Sequence, residues 1–156
     1  GELLIKPRLR LPCPLDVEVD LKSHRLETGR CLTRWGDPGL AELVEVGKYR
    51  VGSFVDRLVG ATAEMMREWA PDPAPEWVTY VPSRAGDLVA DLAQRLADDL
   101  GLPCVAAFER VADTEPQRTM ENSCQQARNV ARATHPERQA VAVVLQAPGD
   151  RPPYAA

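Results

Sequence analysis

The chain lacks the features that mark membrane, secreted and zinc-binding proteins. No stretch approaches the roughly 18 consecutive apolar residues of a membrane span, and the first residues lack the charged-then-apolar pattern of a signal peptide. There is no Cys-x-x-Cys pair, and only His24 and His135 could add nitrogen ligands, so no metal site is expected. We therefore expect a cytoplasmic protein with no membrane partner.

The four cysteines are also too widely spaced to suggest a disulfide framework. They are Cys13, Cys31, Cys104 and Cys124. In a cytosolic protein such residues are usually reduced and behave as small apolar side chains. We predict that all four are reduced, with Cys104 at a buried strand position.

An excess of positive charge is missing as well. Lys and Arg number 19 against 23 Asp and Glu, which gives a net charge of −4 and disfavours DNA or RNA binding by the whole surface. Any nucleic-acid contact must then be local. The N-terminal arm carries a basic cluster, and its Lys6, Arg8 and Arg10 are the candidates for DNA contact.

The composition predicts one folded domain with flanking segments. With 44% apolar and 27% charged residues, a chain of 156 residues is an ordinary globular domain. Residues 1–34 are rich in proline near their start and predict an extended arm or linker from a preceding domain, with a half-buried strand at 17–21. Residues 146–156 predict a disordered tail. Because the chain begins at Gly1, we expect it to be a piece of a longer protein.

Apolar residues at three- and four-residue steps predict four helices. The first begins at Asp37-Pro38 and ends near Gly47, the second covers about Ser53–Trp69, the third runs from Ala85 to Leu100 before Gly101, and the fourth covers Asn122–Ala133.

The segments between these helices predict a parallel sheet. Residues 77–81 are β-branched and aromatic, and a second strand begins at 102–105. A strand, a helix and a strand in this order form a βαβ unit, which places the two strands parallel. The apolar run 140–145 is typical of a central parallel strand. The fold class is therefore predicted to be α/β.

Ligands of open α/β sheets bind where the strands end, which directs attention to the loops after Val81, after the second strand and after Leu145. After the first strand, Ser83 and Arg84 precede a helix whose free N–H groups could hold a phosphate, although Ser83 could equally cap that helix. The second loop, 108–119, is long and polar, and its Arg110 and Arg118 could close over an anionic substrate. Those arginines could instead form solvated ion pairs with neighbouring carboxylates.

The helix that follows the second loop adds two more candidates. Arg128 and Asn129 could point back at the loop, although solvated surface is the default interpretation. No catalytic residue is assigned. The candidates for a diphosphate or substrate loop are Ser83, Arg84, Arg110, Gln117, Arg118, Thr119, Arg128 and Asn129.

A succession of short motifs resembles the competence-type (ComF-like) phosphoribosyltransferases. The motifs lie at 77–84, 100–103, 110–119 and 127–130, and the Gly47-Lys48-Tyr49-Arg50 segment before a long helix is similar too. The resemblance covers about residues 35–130. The segments 1–8, 29–37 and 120–123 resemble more specifically the C-terminal domain of bacterial RecQ-family ATP-dependent DNA helicases.

The resemblance implies a type I phosphoribosyltransferase-like, parallel-sheet domain over 35–145, incomplete at its C-terminus. It also implies a diphosphate loop at Ser83 and Arg84 and a flexible arginine loop from Arg110 to Arg118. In the helicase version the partners are the helicase domains of the same chain, working in DNA repair and recombination near the bacterial nucleoid. ATP would serve only that parent, because Gly47-Lys48 is followed by Tyr49 and does not complete a P-loop.

One family element is missing. In such transferases an apolar strand runs into two acidic residues and a small-residue turn, which bind the ribose and phosphate of phosphoribosyl diphosphate (PRPP). Here Gln146-Ala147-Pro148-Gly149 follows the strand at 140–145. Truncation or frame alteration near Arg138, loss of catalysis in a scaffold, and a misaligned last strand are the open explanations.

Three functions follow from these expectations. The first is an accessory, non-catalytic domain of a RecQ-type helicase. The second is an active phosphoribosyltransferase using Mg²⁺ and PRPP. The third is a protein-interaction module.

Overall fold

The computed structural model describes residues 3–8, 10–15, 26–83, 86–116 and 119–136. Over these residues the protein is a mixed α/β structure with four α-helices and two small two-stranded sheets. The strands are β1 (Leu3–Ile5), β2 (Gly29–Cys31), β3 (Phe108–Arg110) and β4 (Thr134–Pro136), and the helices are α1 (Leu40–Val46), α2 (Asp56–Trp69), α3 (Leu88–Leu100) and α4 (Ser123–Ala133). No helix in these ranges is long and apolar enough to cross a membrane.

The chain divides into two compact units. The first comprises Gly1–Leu3 and Arg30–Ala106, and the second comprises Leu4–Gly29 and Ala107–Ala156. Strands β1 and β2 pair with each other, as do β3 and β4. The predicted division into 1–34, 35–145 and 146–156 remains a prediction.

In the first unit, α1 begins at Leu40 and ends at Val46 with Gly47 as its C-cap, so the predicted helix end at Gly47 is confirmed. The backbone continues through one π-helical turn, Gly47–Val51, and ends at Gly52, which has a left-handed φ of 79°. Gly47 itself has ordinary helical angles and is buried. A Cβ atom at this position would lie 2.6 Å from Cδ1 of Phe54. The glycine therefore provides space for the Phe54 ring at the point where the α-helix passes into the π-helical turn.

Phe54 belongs to the core of the first unit, which lies where α2 packs against α3. The buried cluster is Phe54, Leu58 and Leu88, and the partly buried apolar side chains around it are Leu32, Leu40, Leu43, Val44 and Leu92. The buried residues recur at helical spacing on each helix, so each buries one face: Leu58, Val59 and Ala63 on α2, and Leu88, Ala93 and Ala97 on α3. The predictions of helices over these two segments are confirmed, although α2 begins at Asp56 and α3 at Leu88.

Arg95 links α3 to the residues that precede α2. Its Nη2 donates to the carbonyl oxygen of Phe54 at 2.5 Å, and its Nη1 donates to Asp56 Oδ1 at 2.8 Å. The same Nη2 lies 3.0 Å from Oδ2 of Asp91, one turn earlier on α3. The Asp56 side chain is almost fully exposed, so that ion pair contributes little. The bond to the Phe54 carbonyl, made from a charged donor, is the stronger restraint.

Of the predicted βαβ arrangement, the described residues show a single isolated bridge and no strand at 77–81 or 102–105. Val78 and Cys104 form a parallel bridge, with Val78 N–H donating to the Pro103 carbonyl at 2.9 Å and Val105 N–H donating to the Val78 carbonyl at 2.8 Å. Helix α3 lies between them in the chain and ends as predicted at Gly101, whose φ is 69°. The extended strand predicted over 77–81 is confined to this bridge.

The second unit contains an antiparallel hairpin closed by a helix. Strand β3 pairs with β4 in the register Phe108 to Pro136 and Arg110 to Thr134. Helix α4 lies between these strands in the chain; the helix is the one predicted over Asn122–Ala133, whereas neither strand is predicted from the sequence, which indicates a loop at 108–110. Its N-cap is Asn122, whose side chain accepts a hydrogen bond from the Gln125 N–H at 3.0 Å.

The prediction that all cysteines are reduced is wrong for one pair. Cys13 forms a disulfide with Cys124, the second residue of α4, with Cα atoms 5.4 Å apart. Cys31 and Cys104 are free thiols. The two cysteines are 111 positions apart, and no local sequence pattern indicates that they pair.

Three sequence predictions lie outside the described residues. They are the strand at 17–21, the strand at 140–145 and the tail at 146–156. The described residues confirm a mixed α/β class, and the predicted parallel sheet is represented among them by the isolated bridge between Val78 and Cys104 alone.

Candidate functional site

Ser83 does not cap the helix that follows it. Helix α3 begins at Leu88, and its N-cap is Asp87, whose side chain makes no capping hydrogen bond. The capping interpretation of Ser83 is therefore wrong. Ser83 is half-buried in the connection before the helix, and Arg84 lies outside the described residues.

The start of α3 is acidic. Asp87 occupies the N-cap, and Asp91 lies in the first turn, where it pairs with Arg95. Carboxylates at this end interact favourably with the helix dipole, and their negative charge opposes the binding of a further anion there. Asp87 is exposed, and a diphosphate there would meet its negative charge. This arrangement does not favour an anion cradle at Ser83.

In the second unit, Arg110 ends β3 and pairs with a neighbour. Its Nη2 lies 3.6 Å from Oδ1 of Asp113, whose side chain is 81% exposed. The structure thus contains the ion pair that was the alternative to a substrate contact. Such a pair at the surface contributes little stability.

The loop after β3 is attached to α4. Asn129 Nδ2 donates to the carbonyl oxygen of Glu115 at 2.9 Å, which confirms that this side chain points back at the loop. The Thr119 hydroxyl donates to the Pro116 carbonyl at 2.7 Å, so this side chain makes a local bond within the loop. Arg128 is exposed on α4. Gln117 and Arg118 lie outside the described residues.

The basic arm is accessible. It belongs to the second unit, and its three cations, Lys6, Arg8 and Arg10, are exposed.

Among the residues that the structure describes, no group of three or more His, Cys, Asp or Glu side chains is placed to hold a metal ion.

Cys104 is suited to packing and not to nucleophilic chemistry. Burial, followed by the negative charge of Asp98, raises the pKa of its thiol. A raised pKa keeps the sulfur protonated, and the thiol is a much weaker nucleophile than the thiolate.

An exposed aromatic surface in the first unit was not predicted as a site. Trp35 and Tyr49 meet edge to face, with ring centroids 5.8 Å apart and ring planes at 89°. Lys48 Nζ lies 5.3 Å from the centroid of the Tyr49 ring. We call Arg34, Trp35, Lys48, Tyr49 and Arg50 the aromatic patch. The signal that could have identified it is the placement of a cation directly beside each ring in the sequence.

A pocket adjoins this patch. It has a volume of about 250 Å³ and is lined by Cys31, Leu32, Thr33, Trp35, Ala41 and Val44. Pockets for drug-sized ligands usually span about 300–1,000 Å³, so this one suits a single flat ring system.

Comparison of the chain with models of known protein families, with curated proteins and with solved structures finds no match.

Proposed function

We propose that this chain is an accessory, phosphoribosyltransferase-like C-terminal region of a RecQ-type DNA helicase, contributing protein or DNA contacts and no transferase activity. The observation that carries the proposal is the parallel bridge between Val78 and Cys104 with α3 between them. A parallel-sheet transferase fold is built from such units, and the motifs that resemble the family lie on and around this one. The helicase domains of the parent chain would be its first partners.

Two features support an accessory role over catalysis. Asp87 places negative charge at the helix start where a diphosphate would bind, and Arg110 is paired with Asp113. A transferase needs its cations available to neutralise the leaving diphosphate. The residues that follow the 140–145 segment also lack the acidic pair that would contact ribose.

The alternative of an active, Mg²⁺-dependent transferase has one supporting contact. The bond from Asn129 to Glu115 holds the arginine-bearing loop against α4, as a loop that covers a substrate would require. Because PRPP is the substrate common to such enzymes, its binding separates the two functions. The interaction-module alternative rests on the net charge of −4 and predicts affinity for neither sugar nor DNA.

We expect isothermal titration of the full chain with PRPP and Mg²⁺ to give no measurable heat of binding. The physical reason is the acidic start of α3 together with the missing acidic pair. Inorganic diphosphate with Mg²⁺ is the matched control for non-specific anion binding. Micromolar affinity for PRPP that exceeds the affinity for diphosphate would establish the transferase instead.

The DNA contact is tested through the exposed arm. Replacing Lys6, Arg8 and Arg10 by Ala should reduce the slope of log K against log salt for duplex DNA by about 3, since each lost phosphate contact removes roughly 0.9. The same measurement on Arg57→Ala combined with Arg132→Ala, two exposed cations outside the arm, should leave the slope unchanged. An unaltered slope in the arm variant rejects this contact.

A further inference from the structure

We infer that the aromatic patch binds single-stranded nucleic acid, stacking a base against Trp35 and contacting the backbone through the neighbouring cations. The patch lies in the first unit and shares no residue with the N-terminal arm, and single-strand binding here depends on no family resemblance. Its evidence is the exposure of two aromatic rings, the charges beside them and the adjoining pocket.

The exposure of the rings is the first step. Trp35 is 63% and Tyr49 is 55% exposed, although both types of side chain contribute most to a fold when buried. The other two tryptophans, Trp69 and Trp77, are only partly exposed, and Trp69 is covered by the guanidinium of Arg30 at 5.6 Å. Trp35 is therefore the tryptophan whose ring is most available to a ligand.

The arrangement of charge selects the type of ligand. Arg34 precedes Trp35, and Lys48 and Arg50 flank Tyr49 on the π-helical turn; all three cations are exposed. A cation beside each ring matches a ligand that alternates flat bases with phosphates, which is how proteins hold single strands without reading their sequence. A duplex keeps its bases stacked on each other and offers no base to the rings.

The pocket supplies the place for one base. Trp35 forms part of its wall, and the rest of the lining is mostly small or aliphatic, including Leu32, Ala41 and Val44. A flat ring can enter it beside the indole and leave its sugar and phosphate outside, near Arg34. The volume of about 250 Å³ limits this to one base.

Nearby carboxylates determine whether base stacking or electrostatic attraction contributes more to the binding affinity. Asp37, Glu42 and Glu45 are exposed on the same stretch of chain, and Asp37 accepts a hydrogen bond from the Arg34 backbone N–H at 3.2 Å. Their charges offset the three cations, so long-range attraction is weak. We therefore expect stacking on Trp35 to supply most of the affinity, and the cations to supply a smaller, salt-dependent part.

The test is the binding of a fluorescently labelled oligo(dT) strand, followed by anisotropy. Trp35→Ala should weaken binding about 5- to 100-fold, the loss expected when one base loses its stacking partner. Trp35→Phe, which keeps a flat ring, should stay within a few fold of the natural protein. Lys48→Gln combined with Arg50→Gln should reduce the salt slope by about 1.4, whereas Arg57→Gln should not change it.

Tryptophan fluorescence makes the test independent of the stability of the alanine variant. Oligo(dT) should quench the emission of the natural protein, and Trp35→Phe should bind while losing that quenching. Absence of oligo(dT) binding would overturn the proposal and leave the patch to a protein partner. Equal affinity for duplex and single strand, or a folded Trp35→Ala protein with unchanged affinity, would overturn it as well.

Discussion

Reduction of the disulfide between Cys13 and Cys124 should lower the free energy of unfolding by about 3–4 kcal/mol. The two residues are 111 positions apart, and a crosslink that closes so long a loop removes much of the entropy of the unfolded chain. The entropic model gives about 4.7 kcal/mol for a loop of roughly 100 residues, and measured values are typically about 2–4 kcal/mol. Urea denaturation with and without a phosphine reductant measures the difference.

The free cysteines provide the matched control. Cys31→Ser combined with Cys104→Ser leaves the disulfide in place, so the reductant should destabilise this variant as much as the natural protein. Cys13→Ser combined with Cys124→Ser should have the lower stability of the reduced natural protein, and the reductant should not change it. Alkylation in urea should modify two thiols before reduction and four afterwards. Four modified thiols without reductant would show that the pair is not bonded.

The helices were predictable because their signals are local. A helix satisfies its own backbone hydrogen bonds, so apolar spacing and end residues such as Asn122 and Gly101 locate it from sequence. A strand requires a partner elsewhere in the chain, and the sequence does not name the partner. The predicted strand at 77–81 is consequently seen only where Val78 meets Cys104.

The candidate sites divide in the same way. Asn129 was expected to face the preceding loop because both lie close in sequence, and its bond to Glu115 confirms this. The aromatic patch joins Trp35 to Tyr49 across α1, and no sequence pattern gives the distance between their rings. The disulfide is the extreme case, since Cys13 and Cys124 share no sequence neighbourhood.

Gly47 shows why a residue type alone does not determine its role. This glycine marks the end of α1 as predicted, yet its φ of −59° is one that any residue adopts, so left-handed freedom is not what requires it. The glycine is required by Phe54, seven positions later, whose ring occupies the space of a Cβ. Only the tertiary fold contains that information.

We expect Gly47→Ala to lower the free energy of unfolding by about 2–3 kcal/mol. The added methyl would lie 2.6 Å from Cδ1 of Phe54 and 2.8 Å from the carbonyl oxygen of Ser53, so the ring and the backbone must both shift. Phe54 packs against Leu58 and Leu88, and its displacement disturbs the core of the first unit. Overpacking of this kind typically costs about 1–3 kcal/mol.

Gly60→Ala is the control that separates the steric effect of the added methyl group from the helix propensity of alanine. Gly60 is exposed within α2, and a Cβ there would meet nothing within 4 Å. Alanine is favoured over glycine in a helix by about 0.5–1 kcal/mol, so this variant should be more stable than the natural protein. Gly47→Ala gains the same helical preference, so its net loss in the free energy of unfolding measures the steric clash with Phe54. If thermal unfolding shows both variants stabilised alike, Phe54 does not pack against Gly47, and the core described for the first unit is wrong at that contact.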